Sequence, residues 1–562
     1  MHTLRSGLWV FGLMLSIIVV SFGESWGPQS RAVALYSHAD AAASVLALQD
    51  AFRSLGVPFR RVRSLEDALS APLIFVCGDI EGNAVALNYE KTLRPYLETG
   101  GVVVFENVTA SDLGKLAGFA GAIPLRTRHS MKFTESVLLE NTASLGSSQY
   151  PEVIWTVGYL PAGSEVLAQF DDGSAALLRH KVGKGLVYTI GAGWLDTILR
   201  PRQNRDFEAQ RVYVNALDSS ADLFLLLLQE LYWKHVPNSI RLYGLPRGAP
   251  GLVILTHDVD WEFSVAPVRS FVEAEKKYGI RGTFFVQAKT KKDYNGPAVL
   301  TRSTDIQLMV ALNEGADLES HSVSHSRWFN TMPAGTGTET SETYSPSATG
   351  FRTITGASVA GEVCVSKQRL EAAFSRQVVI FRAGHLRVPP TLPETLEHCG
   401  YIADSSLTAA DVMTSVPYRL FKTLGFEEPT NIFEFPITVE DEQWHLNKHT
   451  QDVLDLVKVQ GAIGAPTVIL IHPTNATDKL EAETQILRNL PPRVSAADLK
   501  TFADFYIARW NIDWDDTLEG GLRLCSKSGI QGLTVRSKQD DRIVDIDPGE
   551  CRLLAQPKLP AQ

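Results

Sequence analysis

The sequence predicts an α/β protein in three parts. A doubly wound α/β unit is expected over residues 31–240, a distorted (β/α)-type barrel of about seven strands over 250–510, and a small β-rich segment over 511–562. Three observations carry this reading. Short β-rich apolar runs alternate with amphipathic helical stretches, a Pro/Gly-rich break falls at 244–251, and beyond it polar signatures sit at the C-terminal ends of apolar runs.

The first residues stand apart from this pattern. His2 and Arg5 precede a mostly apolar stretch from Gly7 to Val20, and the small-x-small triplet Ser21-Phe22-Gly23 follows before Glu24. Residues 1–23 therefore read as a secretory signal. The apolar core is short for a span of about 20 residues, and an uncleaved anchor tethering the chain to a membrane stays open. Either way the bulk of the chain is expected outside the cytoplasm, in a periplasm, at a cell surface or extracellular.

From residue 31 the runs AVALYS, AASVLALQDAFRSLG, FRRVRS, PLIFVCG, YEKTLRPYLETG and GVVVFEN alternate strand and helix, the pattern of a parallel sheet covered on both faces. AALLRHKVGKGLVYTIGAGW at 175–194 reads as a strand pair turning at Gly183-Lys184-Gly185, and the helix LFLLLLQELYWKHV closes the unit. After the break, seven apolar runs follow around LVILTH, TFFVQ, ADLESH, VVIFRAG, YIADSS, IFEFPIT and TVILIH. A Ser/Thr/Gly-rich stretch from Pro333 to Ser358 reads as a long surface loop. Beyond residue 511, LRLCS, LTVRSK, RIVDID and CRLLAQ read as short strands.

At 562 residues, 44% hydrophobic and 21% charged, the chain is folded globular protein, too long for a single core. Its 53 Lys+Arg against 63 Asp+Glu give a formal charge of -10, which argues against nucleic acid as a partner. The five cysteines lack zinc-type spacing and no disulfide framework is expected. Cys525 and Cys551 could pair; Cys77, Cys364 and Cys399 read equally well as small core residues.

The chemistry lies in four signatures: THDVD (256–260), HSVSH (321–325), FRAGH (381–385) and LIHP (470–473). Strand alternation puts Asp258 and Asp260 on one face, so one carboxylate can bind a metal while the other stays free as a base. His321 and His325, four apart, are expected on one face of a helical turn. Two imidazoles and a carboxylate suit zinc or a similar divalent transition metal with coordination positions left open. Trp261, Trp328 and Trp444 follow strands or strand-end signatures and could stack on sugar rings or pack the rim.

Residues 251–475 resemble the polysaccharide deacetylase family of carbohydrate esterases. Its paired aspartates are met by Asp258 and Asp260, its H-S/T-x-x-H by His321 to His325, its strand-end arginine by Arg382, and its Leu-x-His by Leu470-Ile471-His472. The resemblance implies Asp258 as general base, Asp260, His321 and His325 as metal ligands, Arg382 as the group orienting the base, and His472 as general acid. By position, His385 would supply the oxyanion N–H and Asp404 would tune His472. The chain departs from the family at His257, which replaces an aromatic residue, at FRAGH in place of Arg-x-Pro-Tyr, and at Asp404-Ser405-Ser406, which lacks the usual Trp.

The first unit is similar to class I glutamine-amidotransferase-like domains through its strand-helix order and the KVGKGLVYTIG run. Cys77 lacks the glycines of a GxCxG nucleophile elbow, so that unit is expected to be non-catalytic. The expected function is metal-dependent removal of N-acetyl groups from an amino-sugar polysaccharide of an exopolysaccharide or cell wall. The alternatives are an O-acetyl esterase or small-amide hydrolase using the same site, and an inactive glycan-binding scaffold.

Overall fold

The computed structural model describes residues 30–38, 41–134, 141–146, 154–203, 217–422, 426, 428–442, 445–474, 476–517 and 520–555. The expected signal segment and Trp444 lie outside the described residues. Among the described residues no helix is long and apolar enough to cross a membrane.

Among the described residues the first sheet has eleven strands. Phe59–Val62, Val33–Ser37, Leu73–Cys77, Val102–Glu106 and Gly185–Ile190 lie side by side in that order, all parallel. Ala175–Val182 then turns the sheet antiparallel through the hairpin at Gly183. Leu73–Cys77 and Val102–Glu106 are buried along their whole length because helices cover both faces. Leu35, Phe75 and Val104 pack with Phe52 of helix Ala42–Leu55, whereas Ile74, Val103 and Phe105 pack with Leu93 and Leu97 of helix Asn83–Glu98.

Helix Ser220–His235 carries an unbroken buried run from Leu223 to Leu228. A helix apolar on every side must be enclosed. This one packs in a cluster that continues from the first sheet into Val416, Phe421, Phe426 and Ile463 of the following unit. Asp222, near its N-terminus, accepts hydrogen bonds from the Thr414 hydroxyl and, at 3.0 Å, from the Ser415 backbone N–H.

All seven runs expected in the barrel are strands. In the order Pro429–Glu434, Ala403–Asp404, Ile380–Phe381, Asp317–Ser320, Thr283–Val286, Leu252–Val259 and Thr467–Ile471 they pair parallel in one sheet. The barrel expectation needs correcting in one respect. Among the described residues the sheet has ten strands, and its path runs from Tyr418–Phe421 to Val439–Glu440 without pairing these two ends, so it is a curled, open sheet. Parallel pairing brings the C-terminal ends of the strands to one edge, where loops gather side chains from many strands.

The Ser/Thr/Gly-rich stretch is more ordered than a plain surface loop. It holds a hairpin, Ser347–Gly350 with Thr353–Thr355, and Arg369 donates to the backbone carbonyls of Ala288 at 3.1 Å and Tyr344 at 2.7 Å. The C-terminal strands form two three-stranded sheets rather than a separate appendage. Ile240–Leu242, from before the barrel, joins one of them by pairing with Ile530–Ser537.

Two disulfides are present. Cys525–Cys551 joins adjacent strands as the sequence allowed. Cys364–Cys399, with Cα atoms 5.2 Å apart, corrects the reading of both as ordinary core residues. The pair forms because helix 392–398 packs on the 361–365 turn, closing a loop across 35 residues. Removing it by Cys364→Ala with Cys399→Ala is expected to cost about 2–4 kcal/mol. Chemical denaturation under non-reducing conditions measures this, and identical midpoints would show that the bond contributes nothing.

Candidate active site

Strand Leu252–Val259 is buried from end to end, so the parity of its residues decides which face each side chain serves. Thr256 and Asp258 face the site, with Asp260 just past the strand, while His257 points the other way toward the covering helices. Arg382, 0% exposed, reaches across from the end of Ile380–Phe381. Its Nη1 donates to Asp258 Oδ1 at 2.8 Å and to Thr256 Oγ1 at 2.9 Å; its Nε and Nη2 donate to Ser405 O at 2.9 Å and Ser405 Oγ at 2.8 Å. The guanidinium also lies 4.1 Å from the centre of the Phe285 ring. These contacts fix the Asp258 carboxylate in one orientation.

His321 and His325 come together by a different route from the helical turn that their spacing predicts. Residues 321–326 form a loop after Asp317–Ser320, with Ser322 at φ 61 and His325 at φ 50 in the left-handed region. Glu362 holds that loop, accepting from the backbone N–H groups of Val323 at 2.9 Å and Ser324 at 2.7 Å and from the Tyr344 hydroxyl at 2.8 Å. Gly384 of the FRAGH loop backs directly onto His325, where an added Cβ would stand 2.7 Å from the imidazole.

The two imidazoles meet a single carboxylate. His321 Nε2 lies 3.1 Å and His325 Nε2 3.3 Å from Asp260 Oδ1, an oxygen with no well-aligned hydrogen bond among the described residues. His321 Nδ1 donates to the Arg382 carbonyl at 3.0 Å, which leaves Nε2 free as a lone-pair donor. Three convergent ligand atoms with one tautomer already set fit a divalent transition metal. Burial opposes charge on both Asp260 and His321. The neighbouring histidines nonetheless hold the Asp260 carboxyl well below its ordinary value, and Asp258 and Asp260 raise His321.

His472 follows Thr467–Ile471 and points its Nε2 toward the same cluster, 3.6 Å from Asp260 Oδ2. Its partner is Asp441, not Asp404. His472 Nδ1 donates to Asp441 Oδ1 at 2.7 Å, its backbone N–H donates to Asp441 Oδ2 at 2.9 Å, and Lys479 Nζ lies 2.6 Å from the same oxygen. The reason is strand order: Val439–Glu440 pairs directly with Thr467–Ile471, whereas four strands separate Ala403–Asp404 from it. Asp404 is instead buried beside Glu434 and accepts from Ser406 Oγ at 2.6 Å, while Ser406 Oγ accepts from the Ala383 N–H at 2.8 Å and so ties down FRAGH.

Burial opposes charge on His472, but bonding to Asp441, with Asp260 and Asp258 beyond, lifts the imidazole to about 10. His385 sits at the rim in a left-handed conformation, φ 54, its ring centre 4.2 Å from that of His325. Desolvation and then the adjacent His325 lower its basicity. Trp261 makes an edge contact with His325 at 6.1 Å, and Phe263, 62% exposed, stacks parallel to Trp261. Trp328 lies 43% exposed nearby in sequence. In the first sheet Cys77 is fully buried, and burial pushes its thiol well up, the opposite of an activated nucleophile.

Residues 247–403 match the family model described as polysaccharide deacetylase. That stretch contains Asp258, Asp260, His321, His325 and Arg382. The chain thus carries a polysaccharide deacetylase domain in a mixed α/β fold, and it is a hydrolase of the deacetylase class. No curated protein sequence matches it. Among solved structures, a carbohydrate deacetylase, Agd3, aligns over 93% of this chain and 98% of its own with 9% identity and a TM-score of 0.41. A family 4 carbohydrate esterase from Streptomyces lividans, in complex with acetate, aligns over 44% and 92% with 17% identity and a TM-score of 0.28. The Xyl-CE4 domain of a multidomain xylanase from the hindgut metagenome of Trinervitermes trinervoides aligns over 45% and 89% with 15% identity and a TM-score of 0.26.

Proposed function

We propose that this deacetylase removes N-acetyl groups from an amino-sugar polysaccharide, with Asp260, His321 and His325 holding a zinc-type ion. The observation that supports this most directly is the convergence of both imidazole Nε2 atoms on Asp260 Oδ1, at 3.1 and 3.3 Å, beside an Arg382-bound Asp258. When bound, such an ion polarises an acyl oxygen and a water molecule. Asp258, oriented by Arg382, takes the proton of the attacking water. The backbone N–H of His385 is assigned to the oxyanion. His472, kept protonated by Asp441, delivers a proton to the departing amine, without which an amide nitrogen leaves poorly.

The first unit is read as an amidotransferase-like domain without catalysis of its own, supported by the strand order around Val33–Ser37 and by the buried Cys77. Export is proposed for the whole chain, anchored or released; two disulfides favour an oxidising compartment. Acetate release from N-acetylated oligosaccharides, O-acetyl xylan and small acetamides tests the substrate. The N-acetylated oligosaccharide is expected to be the best. Preference for the xylan or the acetamides would overturn the amino-sugar assignment, and binding of glycan by the metal-loaded protein with no acetate release would favour a scaffold.

A further inference from the structure

Behind the proposed metal site lies a second cluster of ligand-type side chains. His257, next in sequence to Asp258, points to the opposite face of strand Leu252–Val259 and meets Glu275 of helix Val265–Lys277 and Glu483 of helix Ala476–Arg488. All three are buried, at 0%, 1% and 0% exposure. His257 Nε2 lies 3.0 Å from Glu275 Oε1 and 3.5 Å from Glu483 Oε2, close to the 3.1 and 3.3 Å spans in the Asp260 trio. Two metal–ligand arms of about 2.0–2.1 Å at a tetrahedral angle give a span of this size.

We propose that His257, Glu275 and Glu483 form a second, structural site for a divalent transition-metal ion of the zinc type. With both glutamates ionised, a hydrogen-bonded trio alone leaves the cluster unsatisfied. One imidazole N–H serves one acceptor well, here Glu275, and neither oxygen of the wholly buried Glu483 then has a hydrogen-bond partner among the described residues. A dication draws all three donors and offsets both carboxylate charges, so that no buried anion is left uncompensated.

The surroundings are built for the trio. Gly282 N–H donates to Glu275 Oε2 at 2.8 Å, and a Cβ at residue 282 would stand 2.1 Å from Glu275 Oε1, so a side chain there would displace that carboxylate. The His257 ring stacks on Phe284 at 4.3 Å and tilts against Phe271 at 5.0 Å, which closes the cluster to water and fixes the imidazole. The site fastens two covering helices to the strand that carries Asp258. It does not depend on what the opposite face of that strand hydrolyses.

Metal content of the full chain, loaded with zinc and then dialysed, tests the proposal by mass spectrometry. Two equivalents are expected for the unmodified protein, and one for the double variant Asp260→Asn with His321→Ala. Glu483→Gln is expected to retain one. Anomalous scattering at the zinc edge from crystals of the unmodified protein places the second ion without relying on a variant that folds poorly. One equivalent in the unmodified protein that the double variant Asp260→Asn with His321→Ala loses, or anomalous peaks none of which lies at His257 Nε2, overturns the proposal and leaves the cluster holding a shared proton only.

Discussion

Asp258→Asn is expected to slow acetate release from an N-acetylated oligosaccharide by roughly 100- to 10,000-fold while the metal content stays that of the unmodified protein. The two aspartates of THDVD differ in what surrounds them. Asp260 offers Oδ1 to two imidazoles, whereas Asp258 Oδ1 accepts from Arg382, with its other oxygen 3.7 Å from His321 Nε2. An asparagine at 258 can still accept from Arg382 through its amide oxygen but cannot take a proton. It also leaves a wholly buried guanidinium without its counter-charge, and removing one partner of such a pair costs about 3–5 kcal/mol. Thermal melting alongside metal analysis separates lost chemistry from lost fold. If the folded, metal-bound variant released acetate as fast as the unmodified protein, the assignment of the base would be wrong.

Asp260→Asn should behave differently, losing the metal and the activity together, because an amide oxygen is a poor ligand beside two neutral imidazoles. The contrast between the two carboxylates comes from their partners, Arg382 on one side and two imidazoles on the other, whereas alternation along the strand only turns both toward one face, which is what the sequence makes legible. Parallel strands aligned at one edge bring the ends of their runs together, so THDVD, HSVSH, FRAGH and LIHP point to one site from the sequence alone. What escaped was set by strand adjacency rather than by spacing. Asp441 reaches His472 only because Val439–Glu440 pairs with Thr467–Ile471, and nothing in VEDEQ marks that neighbour. The four-residue spacing in HSVSH predicts a helical turn, yet left-handed residues and the Glu362 anchor achieve the same convergence in a loop. Cys364 and Cys399 pair through helix packing, which local pattern does not encode.

The second large effect is expected at His472, and its size should depend on the leaving group. His472→Ala is expected to reduce N-deacetylation by roughly 100- to 10,000-fold, because an amine must be protonated as it departs. An activated aryl acetate expels a stable phenolate and should lose far less. The ratio of the two losses therefore reports proton delivery rather than general damage to the site, which would lower both alike. Asp441→Asn supplies the sign. Asp441 is the main group holding His472 above its ordinary value, up to about 10, so the imidazole of the unmodified protein stays protonated through neutral pH and loses its proton only as pH rises toward that value. Without the carboxylate the imidazolium is less stable, and the alkaline limb of the kcat profile should move to lower pH, with the amide substrate affected more than the aryl ester. Lys479, 2.6 Å from Asp441, would remain as a bare cation beside His472 and push in the same direction. An unmoved alkaline limb in Asp441→Asn, or equal losses on amide and aryl ester in His472→Ala, would rule out His472 as the acid and turn attention to the metal-side groups for protonation of the amine.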